Sequence, residues 1–422
     1  MTWRSDVSIS AADKGDSDMA TMTRRELLKA SGTAGLVLGT PAILSAQSKE
    51  PIPIGTLCPL TGAGGSYGPD MQRSVVAVVE RINKAGGING RPVQLFHEDD
   101  QTNAEAGVRA ARKLIDVNKV VAIVSTWASA VTLAVKPLCV EAKVFVIGVS
   151  GADSVTQGDH KGYIARTQPN TNLQGRMYAK FAATKKEWKR VAYMALQTPY
   201  AQSFGEAFAG VLKTAGVTIT DSLTYEDKKP SYRSEVTRVL ATNPDLIMLG
   251  GYTPDSIVMA KDIYKAAYKG ALLGPSFAIN AKFIEGVGAE VAEGIWNMDR
   301  APLFDSPAYK EFSAAVPRGD QSPYAPQAWD QMTLVALALA AAKGEASGTV
   351  IKDNLRTVSN PPGTVVYSFA DGAKLLQEGK KINYEGASGS CDFDQIGDIL
   401  SAPFSVQQVR KGKSDLVMIV NP

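Results

Sequence analysis

The chain has 422 residues, 45% of them hydrophobic and 21% charged, with 45 basic side chains against 42 acidic ones. That length exceeds a single compact core and predicts two lobes, while the near balance of charge excludes an electrostatic case for nucleic acid or an anionic membrane surface. Three cysteines cannot form a disulfide framework, and two histidines leave little for a histidine metal centre or a Ser-His-Asp enzyme.

The first segment reads as an address. Thr23-Arg24-Arg25-Glu26-Leu27-Leu28-Lys29 precedes an uncharged, weakly apolar run from Ala30 to Ala46. The run is too short and too rich in glycine to span a bilayer. A basic region, a short apolar region and a small residue at its end fit an export signal over 1–46, and the arginine pair resembles a twin-arginine signal. The expected destination is the periplasm, with the signal removed.

Beyond it, apolar strand patterns alternate with helical ones. Ile52–Cys58 reads as a strand that ends at Pro59 and a glycine-rich turn, Thr61–Gly65. Met71, Val75, Val78, Val79 and Ile82 follow at helical spacing, and Ala85-Gly86-Gly87 stops that helix. Val93–Phe96, Val120–Val124, Val144–Val149 and Tyr163–Thr167 read as further strands, with helices over Ala104–Val117 and Ser129–Ala142. The rhythm restarts. Helices are predicted over Asn172–Thr184, Gly205–Ala215, Tyr232–Ala241 and Asp255–Lys269. Strands are predicted over Arg190–Leu196, Val217–Tyr225, Asp245–Gly250 and Leu272–Phe277. A strand-like Gly294–Met298 leads into a mostly helical stretch, with one long alanine-rich helix over Gln327–Lys343. A polar Asn383–Asp398 segment and strands over Phe404–Val409 and Leu416–Val420 close the chain. The fold class is α/β, with two doubly wound parallel-sheet lobes.

Ligands of such sheets bind beyond the carboxyl ends of strands, at helix N-termini. That rule selects the Thr61–Tyr67 loop, Ser125–Ser129, Ser150–Asp153, Thr198–Gln202, Gly251–Asp255 and Gly274–Ser276. Ser129 is placed to cap its helix or to offer a hydroxyl to a ligand anion. Trp127 either walls a pocket or simply packs, and Tyr200 and Tyr252 stand at equivalent strand ends, as for an aromatic-lined cleft. His97-Glu98-Asp99-Asp100 is the densest ionisable cluster, but neighbours on a strand point to opposite faces, so scaffolding is expected rather than a metal site. His160 lies in a polar turn and reads as solvated. Cys58, Cys139 and Cys391 read as buried small hydrophobes. No P-loop or His-Glu-x-x-His motif occurs, so neither an enzyme nor a cofactor is expected.

Several stretches resemble one known family. They are Pro59-Leu60-Thr61-Gly62, Tyr67-Gly68, Ile82 through Arg91, Asp99-Asp100-Gln101, Ala110 through Ile115, and Asn383 through Gly389 with Phe393-Asp394. Together they look like type I periplasmic solute-binding proteins, the Leu/Ile/Val-binding family that serves ABC importers. The resemblance implies two lobes joined by three crossovers, near Arg166–Pro169, Met298–Pro302 and Asp398–Phe404. The lobes are then 51–167 plus 300–400, and 168–299 plus 401–422. It also implies a monomer that closes on a small amino acid or carboxylate and delivers it to a membrane permease. A non-amino carboxylate or amide, or a sensing rather than a transporting role, is the alternative. Residues matching the family's binding positions are Ser129, Ser150, Gly151, Ala152, Tyr200, Tyr252 and the aromatic Tyr67. The family's acidic ammonium partner matches Ser276, which is neutral here, so either Asp255 or Asp153 substitutes or the ligand lacks an ammonium.

Overall fold

The computed structural model describes residues 50–422, apart from 318–321 and 343. The export signal expected over 1–46 lies outside the described residues. Five parallel strands form the first sheet: β1 (Ile52–Cys58), β2 (Val93–Asp99), β3 (Ala122–Thr126), β4 (Phe145–Gly148) and β5 (Ile164–Arg166), in the order β2-β1-β3-β4-β5. The second sheet has seven strands. Its parallel part is β6 (Arg190–Leu196), β7 (Thr218–Tyr225), β8 (Leu246–Gly250), β9 (Ala271–Pro275) and β10 (Trp296–Arg300). A small sheet of β11 (Thr364–Val366), β12 (Ile382–Gly386) and β13 (Gly389–Ser390) follows. The chain then returns to the second sheet as the hairpin β14 (Phe404–Arg410) and β15 (Lys413–Val420), antiparallel at its edge. Lys411 and Gly412 turn that hairpin with φ of 50° and 75°, the left-handed pair that suits a two-residue turn. The two sheets are thus exchanged three times along the chain, after β5, after β10 and before β14.

The first sheet is closed by a helix from far along the sequence. Ala325–Ala340 buries all but its last residue and packs between the helices Gly68–Lys84 and Gly348–Ser359. It begins two residues before its expected start because Tyr324 and Pro326 already supply its first turn. Two other helices start early for the same kind of reason. Thr198 caps Pro199–Thr214 by accepting from the Ala201 amide, with Pro199 in the first turn, so the expected Thr198–Gln202 loop is a helix start. Thr253–Lys265 is opened by Pro254 and by the Asp255 carboxylate, which accepts from the Tyr252 amide. The expected helix over Ala104–Val117 is α-helical to Arg112 and widens into a π-helical turn over Lys113–Val117.

His160 is buried, not solvated, and burial lowers its pKa below the ordinary histidine value. The three cysteines are buried and free. Among the described residues no cluster of metal-ligating side chains occurs. The acidic run at the end of β2 works as scaffolding: Asp99 accepts from the amides of Leu60, Thr61 and Gln101 and from the Thr61 hydroxyl, which fixes the first glycine-rich loop.

The first and third crossovers meet at one buried ion pair. Arg166, at the end of β5, is 0% exposed and grips Asp398 with two nitrogens, at 2.6 and 3.1 Å. Asn170 in the first crossover donates to the same carboxylate at 2.7 Å. Breaking a buried pair from one side leaves the other charge stranded, which costs about 3–5 kcal/mol. Asp398→Ala should therefore lower the unfolding free energy by about that amount in urea titrations.

Candidate functional site

The strand ends of the first lobe are shaped by a break in β3. Ser125 holds φ at +73°, a conformation free to glycine but strained for serine, and the register with β4 shifts across it. Gln331 holds the break in place, accepting from the Ser125 amide at 2.9 Å while its own amide donates to Thr167. The bulge re-aims the next residues and carries Trp127 into the space between the lobes.

Ser129 is the first residue of the helix Ser129–Glu141, not its cap. The cap position is Ala128, and no side chain caps this helix. The Ser129 hydroxyl oxygen accepts from the Ala152 amide at 3.1 Å. Ser150 donates to the Trp127 carbonyl at 3.0 Å and is hydrogen-bonded to the Thr132 hydroxyl at 2.5 Å. The carbonyls of Ser150, Gly151 and Ala152 are all collected by one nitrogen of Arg166, at 3.0, 2.9 and 2.7 Å. With three carbonyls turned to a guanidinium, the loop is held toward the uncapped helix start. Ser129, Ser150, Gly151 and Ala152 are therefore brought together at the positive end of a helix.

The second lobe meets this surface with aromatic rings. Tyr200 lies against Gly151, where a Cβ would come within 2.7 Å of the ring, and its hydroxyl donates to Gln174 at 2.8 Å. Tyr252 stands 5.2 Å from Trp127, centroid to centroid, and Tyr67 stacks on the same indole at 5.7 Å. The Tyr67 hydroxyl donates across the cleft to the Phe277 carbonyl at 2.8 Å. The set expected from the sequence thus divides in two. Tyr67, Trp127 and Tyr252 form one cluster, while Tyr200 packs on the Ser150–Ala152 loop.

Ser276 leads to a residue that sequence reasoning missed. Its hydroxyl donates to Asp299 at 2.6 Å. Asp299 also accepts from the Arg300 amide at 2.7 Å and from Gln168 at 3.1 Å. Burial raises its pKa above the ordinary carboxylate value, while the Ser276, Arg300 and Gln168 donors pull it back. The neutral serine is therefore backed by a carboxylate from the second crossover. Both expected substitutes already have partners. Asp255 is committed to the Tyr225 hydroxyl at 2.5 Å and to the Tyr252 amide, and Asp153 to Thr171 and the Asn172 amide. Phe277 and Tyr324 were missed as well. The only sequence signal for Asp299 was its place inside a crossover. Tyr67, Ser276 and Asp299 border one cavity of about 220 Å³ on the hinge side.

Residues 51–413 match the family model described as periplasmic binding protein. The chain belongs to the periplasmic binding protein family. A relative named Leu/Ile/Val-binding protein, from Rhizobium johnstonii, is 25% identical over 364 residues, covering 86% of this chain and 92% of its own. A substrate-binding protein of a chemotactic signal transduction system, from Halobacterium salinarum, is 28% identical and covers 89% and 91%. Among solved structures, a leucine-binding protein from Thermotoga maritima superposes with a TM-score of 0.76 at 22% identity, covering 88% of this chain and 99% of that one. The chain is accordingly a binding protein and not an enzyme.

Burial, led against the pull of Tyr225, pushes Asp255 up to about 6. An unfolded aspartate titrates near ~3.9. Between those values the folded state keeps a proton that the unfolded state has released, so stability falls as pH rises through the window. Asp255→Asn should remove that slope: its melting temperature relative to the parent should rise between pH 4 and pH 7, by the equivalent of about 3 kcal/mol at most.

Proposed function

We propose that this protein is an exported receptor that receives a small amino acid or related carboxylate between its lobes and presents it, as the substrate-binding component, to an ABC permease. The observation that carries this reading is the uncapped start of the helix Ser129–Glu141 beside the Ser150–Ala152 loop, whose carbonyls Arg166 draws away. A carboxylate gains there from amide donors and from the helix dipole together. Across the cleft, Asp299 with Ser276 offers an acceptor for an ammonium or hydroxyl on the same ligand. The Leu/Ile/Val-binding relative supports the amino-acid class. The lobes proposed to close on the ligand are 51–167 plus 300–400, and 168–299 plus 401–422, with the site residues Tyr67, Trp127, Ser129, Ser150, Gly151, Ala152, Tyr200, Tyr252 and Ser276. The chemotactic relative favours one second reading, in which the loaded form reports to a signalling partner instead of a permease.

Calorimetry tests the anion site. Ser129→Ala should weaken binding of the ligand carboxylate by about 5- to 150-fold, the worth of one charge-assisted hydrogen bond. Pairing each amino acid with its deaminated analogue reads the Asp299 side, and equal affinity for neutral compounds and carboxylates would remove the anion site from the reading.

Export is tested separately. Replacing Arg24 and Arg25 by lysine should leave unprocessed precursor in the cytoplasm. Unchanged export of that double mutant assigns the signal to the unfolded-chain route.

A further inference from the structure

The apolar half of the cleft already has an occupant. The Trp127 ring lies 5.7 Å from Tyr67, 5.2 Å from Tyr252, 5.9 Å from Phe277 and 6.0 Å from Tyr324, centroid to centroid. With only 7% of its surface exposed, it fills an aromatic box built from both lobes. The seat is shaped for it. A Cβ on Gly64 would stand 2.7 Å from Trp127 Cζ3 and 2.8 Å from Cε3, so any side chain at that position would displace the indole. The strained bulge at Ser125 delivers the ring to this place.

One opening beside the box carries unmatched polar atoms. The hinge-side cavity of about 220 Å³ is bordered by Ser276, Asn297, Asp299, Arg300 and Ser322. Three buried atoms of these residues lack a hydrogen-bond partner: Asn297 Oδ1, Arg300 Nε and Ser322 Oγ. Asn297 is 1% exposed, and Arg300 and Ser322 are each 3% exposed. Buried polar atoms are rarely left unmatched, and this set contains both donors and acceptors. An ammonium or hydroxyl finds acceptors in Asp299 and Asn297, and a ligand oxygen finds donors in Arg300 and Ser322.

Resting on the receptor reading above, we propose that Trp127 sets the size limit of the ligand, so that the protein selects short, polar carboxylates bearing an ammonium or hydroxyl and rejects aromatic and branched apolar acids. The indole takes the space in which a large apolar side chain would lie, and the cavity it leaves favours compact molecules rich in hydrogen-bonding groups.

The test is calorimetry on the full mature chain with four probes: L-alanine and L-lactate as short polar acids, L-leucine and benzoate as large apolar ones. The parent protein should bind a short acid at least 100-fold more tightly than either large one. Trp127→Ala should gain at least 10-fold for leucine or benzoate, since an apolar void of about 150 Å³ suffices for a benzene ring. Trp127→Phe, which keeps the box packed if the smaller residue lets it collapse, should show an intermediate gain. Parent protein that binds leucine or benzoate as tightly as the short acids overturns the size limit and leaves the receptor reading standing. So does an unchanged preference in both folded variants. If parent and variants are folded by circular dichroism yet bind no carboxylate at all, the receptor reading itself falls, and the size limit with it.

Discussion

One buried guanidinium organises much of this molecule. Arg166 ends the last strand of the first sheet, pairs with Asp398 at the third passage between the sheets, and gathers three consecutive carbonyls of the Ser150–Ala152 loop. A charge fully removed from water needs this density of partners, because unpaired it would be far too costly to bury. The same contacts orient a loop. Backbone carbonyls drawn to one side cannot face the cleft, so a stability requirement in the hinge region also dictates the polarity of the surface a ligand would meet.

A second constraint acts at Ser125. Its left-handed backbone is unfavourable for a residue with a Cβ, and Gln331 from the long central helix holds it there. Gln331 in turn reaches Thr167 beside Arg166. The strand bulge, the central helix and the first crossover thus form one connected polar network beneath the aromatic cluster. Strain at the cleft is sustained by bonds made outside it, which is the usual way an unfavourable conformation persists in a folded protein.

The alternation of strands and helices was legible because period-two and period-3.6 apolar patterns need no tertiary knowledge. Helix starts were less so. Thr198-Pro199 and Tyr252-Thr253-Pro254 look like loops in sequence, yet proline in the first turn and a side-chain acceptor are what a helix start requires. In the cleft, Tyr67, Trp127, Ser129 and Ser150 stand at strand ends, and the topological rule for open sheets points to them. Asp299 was not legible in that way. It belongs to a crossover, and only folding places it behind Ser276, so a neutral serine in the sequence concealed a carboxylate in the structure. His160 shows the converse, a histidine in a polar turn that packing removes from water.

The central helix Ala325–Ala340 has a consequence for how the protein is made. Its apolar residues complete the first lobe against the helix Gly68–Lys84, which leaves the ribosome some 240 residues earlier. At synthesis rates of about 5–20 residues per second, that helix and its sheet wait on the order of 10–50 s for their partner. Throughout that interval the helix, with Met71, Val75, Val78, Val79 and Ile82 along its buried side, has the strands of its own sheet to pack on but not its helical neighbour. The first lobe to be translated is therefore among the last to be finished. Cotranslational folding cannot complete the first lobe until most of the polypeptide has emerged.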